Sequence, residues 1–178
     1  MYIWVGINVE DQLKEVRRAV DGVFERIDVS NVTCQLPLHI SLKISFEIEN
    51  SLFENALSDI TDIYNAQKSF DIKVKGIEKH ENIEWIRMYS NESLEALATA
   101  LNMMLKEKYG IPLHEYDLDF IFHTTLFMDD DAEKINIAHN LLGNVKLPQT
   151  LIANTFVIGT SKTGKNGTYS IYKTVKIV

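Results

Sequence analysis

The chain repeats itself, and that constrains its fold more than any other feature. Trp4 and Leu13 recur as Trp85 and Leu94 at an offset of 81, and His39 recurs as His123 at an offset of 84. A few additional loop residues around Gly110 to Tyr116 account for the difference in offset. Two copies of this length are too few and too long for a solenoid. They predict two similar lobes about a pseudo-twofold axis.

Each copy reads strand, helix, strand, helix, strand. In the first, alternation marks a strand over 2–8, and an apolar stripe of Leu13, Val16, Val20, Val23 and Phe24 marks a helix over 10–27. A strand over 38–46, a helix capped by Asn50 or Ser51 and running to 67, and a strand over 69–78 complete it. The second copy gives a strand over 83–89, a helix over 91–109, a strand over 118–128, a helix after Asp129 to Asp131, and a strand over 151–161. An additional strand spans 168–177. Helices with one apolar face cover one side of a sheet and leave the other free. The expected fold is therefore α+β: a duplicated, bilobal α/β arrangement of two antiparallel-rich sheets around a central cleft, helices outside. It forms a single domain over 1–178, with lobes at about 1–80 and 81–178.

Composition matters mainly for what it excludes. With 46 % hydrophobic and 24 % charged residues the chain is an ordinary globular protein. Its net charge of −7 would repel a long polyanion, so duplex nucleic acid is not an expected partner, whereas a small anion in a local pocket is compatible. Cys34 is the only cysteine, which excludes an internal disulfide and a cysteine-cluster zinc site. The first ten residues read as a strand and not as a signal peptide, and no stretch reaches bilayer-spanning length. The expectation is a cytoplasmic monomer with no membrane partner.

The best-matched places in the repeat carry the chemistry. Pro37-Leu38-His39-Ile40-Ser41-Leu42-Lys43-Ile44 and Ile121-Phe122-His123-Thr124-Thr125-Leu126-Phe127-Met128 are both strands in which a histidine is followed two places on by a hydroxyl residue. Alternation puts His39 and Ser41 on one face, and His123 and Thr125 on the equivalent face. The aliphatic faces are the ones helices cover, so the His/hydroxyl faces look into the cleft. An imidazole has an unperturbed pKa of about 6.5, so one ring can be neutral while the other is protonated. The neutral ring accepts a proton from the attacking oxygen and the charged ring gives one to the leaving alkoxide. Two hydroxyls can donate to the non-bridging oxygens of a phosphate.

Together these motifs resemble the 2H phosphoesterases, the group that includes the 2′-5′ RNA ligase-like proteins and cyclic nucleotide phosphodiesterases. The signature His-x-Ser/Thr-hydrophobic is matched by His39-Ile40-Ser41-Leu42 and His123-Thr124-Thr125-Leu126, and the resemblance runs over nearly the whole chain. It implies a two-histidine phosphodiesterase or RNA ligase-like phosphotransferase. Its substrates would be 2′,3′-cyclic phosphates, 2′-5′ linkages or related esters of nucleotides and RNA termini, and it would use no metal and no cofactor. His39, Ser41, His123 and Thr125 would be catalytic. The family's Arg-x-Phe-like first strand is represented by Tyr2-Ile3-Trp4, without the arginine, and Gly167-Thr168-Tyr169 resembles its Gly-x-Tyr strand start. The alternative is a non-catalytic protein on the same fold that binds an oligonucleotide or a cyclic nucleotide.

Further substrate contacts are read from alternation. Lys43 shares the face of His39 and Ser41, where it either complements phosphate charge or is a solvated strand-end lysine. Trp85 and Arg87 share the cleft face of their strand, and Trp4 is the repeat mate of Trp85; the tryptophans either stack on a nucleotide or pack in the core. Tyr169 joins this set through the resemblance. His80, His114 and His139 have no repeat mates and are expected on the surface or in loops. Cys34 is expected to be an ordinary thiol. The stretch Gly159 to Asn166 nearly spells a phosphate-binding P-loop, but a β-rich tail follows it and no helix, so it reads as a hairpin loop. Asp129 to Asp131 read as a helix cap and not as a metal site.

Overall fold

In a computed structural model that describes residues 1–118 and 120–177, the chain forms eight strands and five helices. In order they are β1 (Tyr2–Asn8), α1 (Lys14–Phe24), β2 (His39–Glu47), α2 (Phe53–Asn65), β3 (Phe70–Lys79), β4 (Ile83–Met88), α3 (Glu92–Tyr109), the single turn α4 (Glu115–Leu118), β5 (His123–Met128), α5 (Ala132–Leu142), β6 (Thr150–Ala153), β7 (Thr155–Ser161) and β8 (Ser170–Lys176). Short 3-10 turns at Glu10–Gln12 and Val32–Gln35 precede α1 and β2.

The strands make two antiparallel four-stranded sheets, in the orders β2-β1-β7-β8 and β5-β4-β3-β6. Each sheet is built from both halves of the sequence, so the lobes do not divide near residue 80 as expected. β3 crosses into the second sheet to pair with β4, while β7 and β8 return to the first, with β7 against β1. In the first copy the strand directly after the second helix changes sheet, whereas in the second copy β6 stays with β3 and the change comes at β7. Local period reports a strand but not its partner.

The expected strand over 151–161 is two strands for the same reason. β6 pairs with β3, β7 with β1, and the chain changes sheet at Asn154, whose carbonyl accepts the Ile177 N–H at 2.9 Å. The expected helix over 10–27 is interrupted because the Asn8 side chain accepts the Glu10 N–H at 2.9 Å and turns the chain before α1 begins. Asn50 and Ser51 do not cap α2, which starts at Phe53 with no side-chain cap. Asn91 and Asp131 do cap α3 and α5, accepting N–H bonds from Leu94 and Glu133. α3 stops at Gly110, whose φ of 68° is the left-handed conformation that favours glycine. Only the end of the strand expected over 118–128 forms, because Asp117 accepts the His114 N–H at 2.8 Å and closes the turn of α4 just upstream.

The helices bury their apolar stripes, Val16, Val20 and Val23 on α1 and Leu94, Leu97, Leu101 and Leu105 on α3, against one face of the sheets. Ile3, Val5 and Ile7 of β1 and Ile40 and Leu42 of β2, all fully buried, meet them there. At the fixed alternation of a strand, this sends Trp4, Gly6, His39 and Ser41 to the opposite face. No helix among the described residues is long and apolar enough to cross a membrane.

Candidate active site

The two motif strands meet at the start of β2, and the 3-10 turn before it also holds β5. The backbone N–H of His39 donates to Thr124 Oγ1 at 3.0 Å, and Thr33 Oγ1 donates to the carbonyl of Leu126 at 2.9 Å. Thr124 is buried because this bond satisfies its hydroxyl between the sheets. His39 and Ser41, and His123 and Thr125, alternate with fully buried neighbours and are themselves half-buried, so both pairs line the seam between the sheets.

The two histidines are held alike. His39 Nδ1 lies 2.7 Å from the carbonyl of Pro37, and His123 Nδ1 lies 2.6 Å from the carbonyl of Ile121. A carbonyl only accepts, so each Nδ1 carries the hydrogen and each Nε2 is left with a free lone pair. Each ring also touches a tryptophan: Trp4 and His39 meet edge-on with centroids 4.2 Å apart, and Trp85 and His123 lie at 4.3 Å. Burial pushes the His39 pKa down to about 4; the Pro37 hydrogen bond opposes the shift, and the nearby charge of His123 adds to it. Burial lowers His123 as well, the Ile121 bond opposing and His80 adding.

Trp4 lies flat on the sheet because two glycines permit it. A Cβ on Gly159 would come 2.6 Å from Trp4 Cε3, and one on Gly6 would come 2.9 Å from Trp4 Cζ2 and 2.7 Å from the carbonyl oxygen of Ile40. In that pose Trp4 Nε1 donates to Ser41 Oγ at 3.1 Å. Ser41 accepts this bond, so its own O–H remains free to donate to a ligand. The second half departs from this pattern: Trp85 Nε1 is buried and finds no partner among the described residues.

Three of the expected contacts fall as follows. Lys43 does not face the cleft. Its Nζ lies 2.6 Å from Asp117 Oδ2 and 2.9 Å from Asn102 Oδ1, with the Lys43 and Asp117 side chains 2 % and 0 % exposed. The reason is a β-bulge: β1 pairs Gly6 with Ser41 but Val5 with Lys43, so Leu42 and Lys43 both turn inward. Neither expectation for Lys43, phosphate ligand or solvated strand end, describes it. Arg87 stands opposite His123 in the β4–β5 ladder, half-exposed and paired with Glu78 at 3.2 Å. It also borders a recess of about 540 Å³ shared with Ile121, Phe122 and Met103, a size that suits a small organic ligand. The Tyr169 hydroxyl is 3.5 Å from the carbonyl of Gly164, and Gly164 packs on Tyr2. The stretch expected as a hairpin loop, Gly159 to Asn166, begins in β7, whose last residue is Ser161, and continues into the β7–β8 connection, which is tied by Ser161 Oγ to Thr168 Oγ1 at 2.6 Å.

Two histidines expected to be surface residues have specific partners. The His80 ring, exposed at the β3–β4 turn, rests 4.4 Å from Trp85, so His80 and His123 share one indole. His139 Nδ1 lies 2.9 Å from Glu84 Oε1, a carboxylate that is fully buried on the helix side of β4. His80 carried no periodic signal, since it lies in a turn and is delivered to the site by strand pairing alone. Among the described residues no group of three or more His, Cys, Asp or Glu side chains is arranged to hold a metal.

No family model matches the chain, and no curated protein matches it. Solved structures do. The chain is similar to TT0787 of Thermus thermophilus, at 14 % identity and a TM-score of 0.65 over 99 % of this chain and 98 % of that one. It is similar to E. coli LigT complexed with 3′-AMP, at 14 % identity and a TM-score of 0.57 over 99 % and 97 %. It is also similar to Usb1 of Kluyveromyces marxianus, at 14 % identity and a TM-score of 0.51 over 99 % and 98 %. A further neighbour is described as a phosphoesterase, with a TM-score of 0.57. The chain shares the fold of these structures over nearly its whole length.

Proposed function

We propose that this chain, with its 2H phosphoesterase fold, is a phosphodiesterase or phosphotransferase that acts on a cyclic phosphate, a 2′-5′ linkage or a related ester of a nucleotide or RNA terminus. The observation that carries the proposal is the matched pair of Nδ1-to-carbonyl bonds at His39 and His123, which leaves two Nε2 atoms free at one seam. His39, with a pKa of about 4, stays neutral at physiological pH and serves as the base, taking the proton of the attacking water or hydroxyl. His123, the more open ring, takes up a proton when the phosphodiester anion binds beside it and passes that proton to the leaving alkoxide. Ser41, whose lone pair is occupied by Trp4, donates its hydroxyl hydrogen to a non-bridging oxygen, and Thr125 does the same from the other side. The steps pass through imidazole and hydroxyl groups alone and call for no metal.

Short substrates suit a protein with a net charge of −7. The recess beside Arg87 would take the base or sugar, with Phe120 and Phe122 as its aromatic lining. The test is incubation with 2′,3′-cyclic nucleotides, 2′-5′-linked dinucleotides and cyclic dinucleotides, with products identified by mass and phosphorus NMR. His39→Ala and His123→Ala should each lower turnover by roughly 10²- to 10⁴-fold while substrate still binds. Turnover that survives both substitutions would overturn the proposal, and loss of turnover on adding a chelator would overturn its metal-free form. Binding without turnover in the unsubstituted protein would leave a binding protein on this scaffold.

A further inference from the structure

We propose that Glu10 and Arg17 are positioning residues that hold His39 in its base-competent orientation by clamping both peptides around Pro37. The inference rests on the function proposed above and adds to it two residues that never touch substrate. His39 is oriented by one acceptor, the carbonyl of Pro37 at 2.7 Å. A carbonyl can orient a ring only as well as its own peptide is fixed, and proline has no N–H with which to anchor itself.

The anchoring comes from the residues on either side. Arg17 Nη2 donates to the carbonyl of Leu36 at 3.1 Å, and Glu10 Oε2 accepts the N–H of Leu38 at 2.6 Å. The two side chains bind each other in the bidentate geometry of guanidinium and carboxylate, Nε to Oε1 at 2.9 Å and Nη2 to Oε2 at 3.0 Å. Arg17 Nη2 therefore bonds at once to the partner carboxylate and to the loop, and Glu10 Oε2 does the same. With the Arg17 side chain only 14 % exposed, water has little access to compete. The pair is fixed from behind as well, since Glu10 sits in the turn set by Asn8, and Asn8 pairs with His39 across the β1–β2 ladder.

Among its described residues the second half has no such device. The offset of 81 puts Asn91 and Ala98 where Glu10 and Arg17 stand, and these cap and pack α3. Ile121, whose carbonyl orients His123, is 41 % exposed. The clamp thus belongs to one of two otherwise equivalent histidines, and a pair serving only to staple α1 to the chain would have no reason to grip both neighbours of Pro37.

Lysine cannot reproduce the planar fork, so Arg17→Lys keeps the charge and loses the simultaneous hold on Glu10 and Leu36. Glu10→Gln keeps an acceptor for Leu38 and loses the charge. Nitrogen-15 NMR of the imidazoles and steady-state kinetics together test the clamp. In the unsubstituted protein His39 should show a single Nδ1–H tautomer. In Arg17→Lys that tautomer should give way to a mixture while the His123 signals stay unchanged, and kcat should fall by up to about 100-fold with KM within about twofold. Glu10→Gln should fall between the two, and it decides by the same readouts if Arg17→Lys does not fold. An unchanged His39 tautomer in a folded variant, or equal disturbance of His123, would overturn the inference. The tautomer is read without substrate, so a protein that turns nothing over would sink the proposed function and still judge the clamp.

Discussion

Replacing Asp117 by alanine tests whether Lys43 is a structural strut or a phosphate ligand. Asp117 accepts Lys43 Nζ at 2.6 Å, the His114 N–H at 2.8 Å and the Ile44 N–H at 3.4 Å. Both charged side chains are removed from solvent, so Asp117→Ala leaves an ammonium buried with only Asn102 beside it. Breaking a buried pair from one side costs about 3–5 kcal/mol, against about 0–1 kcal/mol for an exposed pair. For a chain of this size that corresponds to a fall in melting temperature of roughly 6–20 °C. Lys43→Met should cost a similar amount. The double variant Lys43→Met/Asp117→Leu should recover most of the loss, because an apolar pair of matched volume replaces a buried ion pair at little cost. Recovery should stop about 1–3 kcal/mol short, since Asn102 Oδ1 loses its donor inside the protein. Urea denaturation of the four proteins, with KM measured in parallel, provides the numbers. If Lys43→Met leaves stability unchanged and raises KM, Lys43 meets the substrate and the strut is wrong.

Gly6→Ala should destabilise the fold by about 1–3 kcal/mol and lower turnover, because its Cβ meets both Trp4 and the carbonyl of Ile40, the residue after His39; denaturation and kinetics that both match the parent would refute the flat pose of Trp4. Stability should fall as the pH drops from 6.5 towards 4, and below that His39 should add no further fall. In this window the unfolded chain binds a proton at His39 that the folded chain, with its pKa of about 4, does not; a His39→Gln variant with an equally steep pH profile would refute the assignment. His80→Ala should raise the pKa of His123, read by NMR titration, since the charge of His80 lowers it; a lower value or no change would refute that repulsion.

What the sequence made legible is what depends on near neighbours. The alternation of His39 with Ser41 and of His123 with Thr125 survives in the folded strands because both faces of each strand are specified by the residues themselves. The extent of α3 over 91–109 and the cap at Asp131 are equally local. Lys43 was not legible, because one bulge in the β1–β2 register reverses its face and no period in the sequence announces a bulge. The exchange of β3 and β7 between sheets was hidden for a related reason: either sheet would satisfy the same apolar pattern, and the choice is made by packing across the whole molecule. His80 and the Glu10–Arg17 pair were missed because a turn residue and an ion pair seven places apart have no repeat mates to draw attention to them.

On the proposed reading, the departures from symmetry are the informative part of the site. If the halves were identical the two histidines would have equal proton affinities, and the singly protonated state would be divided evenly between a productive and an inverted form. That would cost only a factor of about two in rate, or roughly 0.4 kcal/mol. Sorting protons between two equal rings is therefore too small a gain to explain the half-buried ion pair around Pro37, the Trp4–Ser41 bond and the pair of glycines beneath Trp4. Orientation is worth far more, since misplacing a reacting group by about 1 Å can cost 100-fold. A base must already face its nucleophile when the proton moves, whereas an acid has to follow an alkoxide that is departing. The half carrying the rigid supports holds His39. The half that holds His123 has an exposed Ile121 and a Trp85 Nε1 without a partner among the described residues. The rigidity is placed where a base would need it and withheld where an acid would not.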